Sequence, residues 1–115
     1  MSGKPPDLRE RTLRFARRIL EICAVLPDTP EGRRIRGQLA ASGTSVGANY
    51  EEGDGALTKK EKRKSFSVSR KEAKETYYWL RVISGVMIEE KAVESDIKEA
   101  DELARIFSAI IEKLS

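Results

Sequence analysis

The sequence predicts an all-α protein, an antiparallel up-down four-helix bundle. Three observations predict it. Apolar residues recur at helical spacing in four segments, and no segment alternates apolar and polar residues as a half-buried strand would. The breaks between segments are short and carry helix-capping residues. With 36% charged and 39% hydrophobic residues in 115, the chain has the balance of amphipathic helices sharing one core. It reads as a single domain over residues 1–115, with 1–6 expected to be disordered.

The first helix spans about residues 7–26, with Leu8, Phe15, Ile19, Ile22, Cys23 and Leu26 on one face. Pro27 stops it, and Asp28 or Thr29 caps a second helix that has Pro30 in its first turn and runs to about residue 56. Thr58 followed by Glu61 is a capping box that opens a long third helix, ending near Met87 or Glu89. Ser95 or Asp96 caps the fourth, whose stripe includes Ile97, Leu103, Phe107, Ile110 and Leu114.

The second helix is the least ordinary. Residues 38–52 are polar and glycine-rich, yet Leu39, Gly43, Val46 and Tyr50 keep helical spacing and no proline interrupts them. Each internal glycine costs a helix about 1 kcal/mol relative to alanine, so such a helix needs packing to persist. Gly43 and Gly47, four apart, form a small-residue pair that admits another backbone at close range. The alternative is a flexible linker.

The third helix is apolar on two sides. Ala73, Thr76, Leu80, Ile83 and Met87 mark the face toward the core, while Tyr78, Trp79, Val82 and Val86 mark a second stripe bordered by Glu72 and Glu75. A bundle of this size has one interior, so the second stripe is expected to be an oligomer interface centred on Trp79. A kink that swings the aromatics inward is the alternative.

The chain contains no histidine and one cysteine, which excludes Glu-x-x-His di-iron sites, histidine-dependent bundle ribonucleases and ordinary zinc sites. No phosphate-binding glycine loop follows a strand. No catalytic residue, metal or cofactor is expected, although a carboxylate-only magnesium site from Glu51, Glu52, Glu72 and Glu75 is conceivable. No leader-like segment and no apolar run of membrane-spanning length is present; with Cys23 among apolar residues, a cytoplasmic location is expected.

The net charge of +3 is unevenly placed. Lys59, Lys60, Lys62, Arg63 and Lys64 crowd the start of the third helix, where positive charge opposes the macrodipole. A phosphate-binding surface would explain them, with help from Arg33, Arg34 and Arg36; a third cluster is Arg9, Arg11, Arg14, Arg17 and Arg18. The alternatives are a solvated charged turn, or a contact between subunits to the acidic residues 99–102.

Two long segments carry a resemblance: Gln38-Leu39 with Ser42-Gly43-Thr44-Ser45-Val46-Gly47-Ala48-Asn49-Tyr50-Glu51-Glu52, and Lys71-Glu72-Ala73-Lys74-Glu75-Thr76-Tyr77-Tyr78-Trp79-Leu80. With Phe15-Ala16-Arg17-Arg18-Ile19, they resemble the four helix bundle protein family whose founding members are encoded in intervening sequences of large-subunit ribosomal RNA genes. The resemblance implies an antiparallel bundle that forms a homopentameric ring without established catalysis. It is also similar to an accessory protein of diversity-generating retroelements, which partners a reverse transcriptase and binds nucleic acid. Asn49, Glu52, Glu72 and Glu75 would then be polar positions held between helices or subunits, with Trp79 beside them. Gly53 stands where relatives carry alanine, which questions the second helix beyond Glu52.

Sequence and resemblance together give a non-enzymatic homo-oligomer, a pentamer by resemblance, acting as a nucleic-acid-binding accessory or scaffold protein. The alternative is a protein-interaction scaffold with no nucleic-acid binding.

Overall fold

Each of the first three helices begins where a side chain takes over a free backbone N–H. The computed structural model describes residues 7–115, so the expectation for 1–6 lies outside the described residues. The helices are α1 (Leu8–Ala24), α2 (Pro30–Asp54), α3 (Lys59–Ile83) and α4 (Glu90–Lys113). The Asp7 carboxylate accepts from Arg9 N–H, the Thr29 hydroxyl from Gly32 N–H and the Thr58 hydroxyl from Glu61 N–H. These are three of the orphan donors that every helix start leaves behind.

Successive helices pack on one another, α1 on α2, α2 on α3 and α3 on α4, whereas α1 and α4 meet only sparsely. Leu39, Val46, Ala73, Leu80 and Leu103 are fully buried along the middle of the bundle. Tyr50, Phe66 and Phe107 close one end as a trio with ring centroids 5.9–6.2 Å apart. Burying each large apolar side chain contributes about 1.5–3 kcal/mol, so this core carries the fold.

Gly43, Gly47 and Gly53 of α2 face inward. A Cβ on Gly43 would fall 2.6 Å from the Ile19 side chain, and one on Gly47 2.9 Å from Thr12 Oγ1. The close approach expected of this pair is therefore made within the chain, to α1. At Gly53 a Cβ would meet the Phe66 ring at 2.5 Å, and α2 continues past Glu52 to Asp54. The linker alternative for this segment is overturned: it is helix throughout.

Two boundaries differ from the sequence expectation. α3 ends at Ile83 rather than near Met87 or Glu89, because Gly85 adopts a φ of 78° and its N–H donates to Ile88 C=O across a tight turn. Only glycine takes that left-handed conformation without strain. α4 begins at Glu90, so Ser95 and Asp96 lie inside it instead of capping it. Asp96 resembled a cap but is buried and ion-paired to Arg18, while fully buried Val93 draws the earlier turn into the core.

The α1–α4 seam is polar. Arg11 forks onto Glu99 at 2.7 and 2.8 Å and reaches Glu102 at 2.8 Å. Arg18 donates to Asp96 at 3.1 Å and to Ala92 C=O at 2.8 Å. The hydrogen bond to Glu99 is the main reason that the Arg11 guanidinium titrates above arginine's ordinary value; Asp96 acts likewise on Arg18.

Candidate nucleic-acid interface

The basic residues at the start of α3 owe part of their position to the up-down topology. The N-terminus of α3 lies beside the C-termini of α2 and α4, whose last carbonyls lack helical partners and carry the negative end of the helix dipole. Lys62 Nζ donates to Gly53 C=O at 3.0 Å and Asp54 C=O at 3.1 Å. Arg63 donates to Leu114 C=O at 2.7 Å. These two cations cap the neighbouring helices. Sequence reasoning missed that role because the carbonyls they serve belong to other helix ends.

Lys59, Lys60 and Lys64 are exposed and have no hydrogen bond or ion pair among the described residues. They are the part of the cluster left for an external anion. Lys64 also borders a cleft of about 290 Å³ between α2 and α3, with Asn49, Glu52, Glu61, Ser65 and Val68.

The helper cluster is not brought to this place. Arg33, Arg34 and Arg36 sit in the first two turns of α2, 18–21 residues before its end at Asp54, which puts them roughly 27–32 Å away, toward the other end of the bundle. Arg33 pairs with Asp28 at 2.8 Å. Arg36 turns inward to Leu26 C=O at 3.0 Å and Pro27 C=O at 3.4 Å, and its Nε is buried without a partner. It closes the C-terminal end of α1, and of the three only Arg34 is both exposed and unpaired among the described residues.

On α1, Arg9 pairs with Glu51 and Asp54, and Arg11 and Arg18 serve the seam, so Arg14 and Arg17 are the free cations among the described residues of that cluster. The acidic residues 99–102, the alternative counter-charge for the α3 cluster, are held at home: Glu99 and Glu102 by Arg11, Asp101 by Arg105.

The second stripe of α3 is partly as expected. Tyr78 is 60% exposed and meets the half-buried Trp79 edge to face, with centroids 5.1 Å apart. Trp79 packs against the rim of the core, and its Nε1–H donates to Glu75 Oε2 at 3.2 Å. Val82 is half-buried. Val86 lies in the turn after α3 and does not extend the helical stripe, since the helix has already ended at Ile83.

Of Asn49, Glu52, Glu72 and Glu75, none bonds between helices. Asn49 donates to Ser45 C=O in its own helix, and Glu52 is exposed. Glu72 is half-buried; desolvation first, then the Glu75 charge, raises its pKa against the pull of Lys71. The bonds between α2 and α3 come from smaller residues: Thr76 Oγ1 to Ser42 Oγ at 2.9 Å, and Ser69 Oγ to Val46 C=O at 2.8 Å. Glu51, Glu52, Glu72 and Glu75 do not converge: among the described residues, no three acidic, histidine or cysteine side chains form a group able to hold a metal. No described helix is long and apolar enough to cross a membrane.

Known proteins match this arrangement in two ways. A crystal structure of a protein of unknown function from the S23 ribosomal protein family of Bacteroides thetaiotaomicron VPI-5482 superposes with a TM-score of 0.83 at 29% identity, over 91% of this chain and 98% of that one. No curated protein matches. Residues 7–109, which include all of α1 to α3 and most of α4, match the family model described as 23S rRNA-intervening sequence protein. A match of that extent takes in both motif segments and the helices that carry them, and the chain belongs to the 23S rRNA-intervening sequence protein family.

Proposed function

We propose that this chain is a non-enzymatic accessory or scaffold protein that assembles with copies of itself, as a pentameric ring, and contacts RNA or DNA through basic patches repeated around that ring. The charge of α3 carries the reading. The helix has nine basic and three acidic side chains, a net of six positive charges, whereas the whole chain has +3. Lys59, Lys60 and Lys64 among them have no partner among the described residues. A ring multiplies such weak contacts by raising the effective concentration of each after the first.

Assembly is supported by apolar surface that the single chain leaves open. Leu13 and Leu20 of α1 are each 49% exposed. Beside them, residues 37–50 of α2 carry no charge for nearly four turns, and Gly37, Ala41 and Ala48 in that run face outward. On α3, Trp79 and Val82 are half-buried beside the exposed Tyr78. A helix without charged residues on any side is suited to burial on every side.

Light scattering combined with absorbance at two ultraviolet wavelengths tests both halves at once, reporting subunit number and co-purifying nucleic acid. A ring-sized particle is expected, and Trp79→Ala is expected to weaken it by about 2 kcal/mol or more, as for a buried aromatic anchor. A monomeric wild type overturns the assembly. A ring that binds neither RNA nor DNA at low salt assigns the basic patches to protein partners instead.

A further inference from the structure

We propose that the outward ridge of α3 is a track for single-stranded nucleic acid, with Tyr78 as its base-stacking platform; the proposal rests on the nucleic-acid reading above and gives it a site. Lys60, Lys64, Ser67, Lys71, Lys74, Tyr78 and Arg81 follow one another in alternating steps of four and three residues. That spacing keeps all seven on one face of a helix. Five are cations and none is acidic. All five cations are exposed, and none forms an ion pair among the described residues. From Lys60 to Arg81 the ridge is about 32 Å long.

The neighbouring carboxylates border the row on its flanks and none lies within it. Glu61, Glu72 and Glu75 lie on the flank of α3 that faces α2, where Glu61 accepts from Thr58 and Glu75 from Trp79. On the α4 flank, Asp101 is bound to Arg105 at 3.0 Å, and Glu112 is the one groove carboxylate without an ion pair among the described residues, against five unpaired cations on the ridge. The positive potential of the ridge therefore faces solvent, as a backbone-tracking surface requires.

Two features favour a single strand over a duplex. Tyr78 stands 60% exposed in the row of cations, and an exposed aromatic face gains from a base only when that base is unstacked. Along the ridge runs a groove of about 600 Å³ between α3 and α4, with Lys74 and Tyr77 on one bank and Asp101, Ala104, Arg105, Ser108, Ala109 and Glu112 on the other. Arg81 lies over the Tyr77 ring at 5.5 Å, so its charge is held at the edge of this groove. A splayed base fits such a groove while its phosphate stays on the lysines; a duplex offers neither base faces nor flexibility to follow a convex ridge.

Fluorescence anisotropy with a labelled oligouridylate of about twelve nucleotides, its deoxy counterpart and a duplex of the same length tests this, with the assembled protein throughout. Both single strands are expected to bind more tightly than the duplex. Lys64→Gln, Lys71→Gln and Lys74→Gln combined should lower the slope of log affinity against log salt by about 2, at roughly 0.7 per single-strand phosphate contact. Tyr78→Ala should weaken single-strand binding roughly five-fold or more and leave the salt slope intact, with Tyr78→Phe restoring affinity. All these positions are exposed, and circular dichroism with light scattering checks that fold and subunit number persist. If wild type binds and these changes do nothing while Arg14→Gln with Arg17→Gln, on α1 and outside the ridge, abolishes binding, the ridge proposal fails and the nucleic-acid reading survives. If wild type binds no strand at low salt, both fail. If the triple change dissociates the assembly, the ridge is a subunit contact and the proposal is overturned.

Discussion

Thr76 Oγ1 lies 2.9 Å from Ser42 Oγ in the fully buried seam between α2 and α3 and 2.8 Å from Glu72 C=O, the two oxygens within reach of its one proton. Ser42 in turn reaches Leu39 C=O at 3.3 Å. The two motif segments thus meet through small hydroxyl residues that let the helices lie close and still satisfy every polar atom of the pair. Thr76→Val keeps the shape and removes the bond. Its expected cost is about 1–2 kcal/mol in denaturant titration, and Ser42→Ala added to it should cost less than its own single effect. Strict additivity of the two changes would show that the hydroxyls act independently.

Gly47→Leu should destabilise the chain although leucine is the better helix former. The added side chain starts 2.9 Å from Thr12 Oγ1, and the expected loss is about 1–3 kcal/mol. A variant that melts higher than wild type would mean that α1 can shift away without cost.

Arg18 and Asp96 form an unequal pair, with side chains 42% and 9% exposed. Arg18→Leu alone strands the buried carboxylate and should cost about 1–3 kcal/mol, below the full range for a buried pair because the arginine is partly in water. Arg18→Leu combined with Asp96→Leu should recover most of that loss. Thermal melts of the two variants decide it: a double variant no better than the single one would place the cost in lost packing of the arginine stem.

The pH dependence of Glu72 has a definite sign. Desolvation and the Glu75 charge raise its folded pKa, so its contribution is complete below the ordinary glutamate value of about 4.3 and is lost as pH rises through the raised value. Glu72→Gln should therefore melt higher than wild type at neutral pH, and the gap should close as the pH falls toward about 4. A variant that melts lower at neutral pH would mean that a cation from outside the chain compensates Glu72 in the assembled protein.

Helix starts were legible wherever one residue both caps and faces a short break, as Thr29 and Thr58 do. Asp96 misled because an acidic residue before an apolar stripe looks the same whether it caps a helix or buries itself against an arginine 78 positions earlier. The Gly43 and Gly47 spacing announced a close approach, but only the fold says that Ile19 and Thr12 fill it. In the basic cluster, the sequence shows five like cations; the antiparallel neighbours divide them, giving Lys62 and Arg63 to other helix ends and leaving Lys59, Lys60 and Lys64 outward. The ridge on α3 was present as a pattern of fours and threes, obscured by reading Tyr78 with Trp79 rather than with the lysines.

Because each helix rests mainly on the one before it, most of the core forms between neighbours in sequence. Such local topology favours rapid folding. A chain emerging in order can therefore add α2 to α1, α3 to α2 and α4 to α3 without waiting for a distant partner. The expected last event is the closing of α4 onto α1, where Arg11 and Arg18 meet Glu99, Glu102 and Asp96. Ionic strength then acts on the final step of folding more than on the first, and amides of α4 beside that seam are the ones whose exchange with solvent should quicken as salt rises.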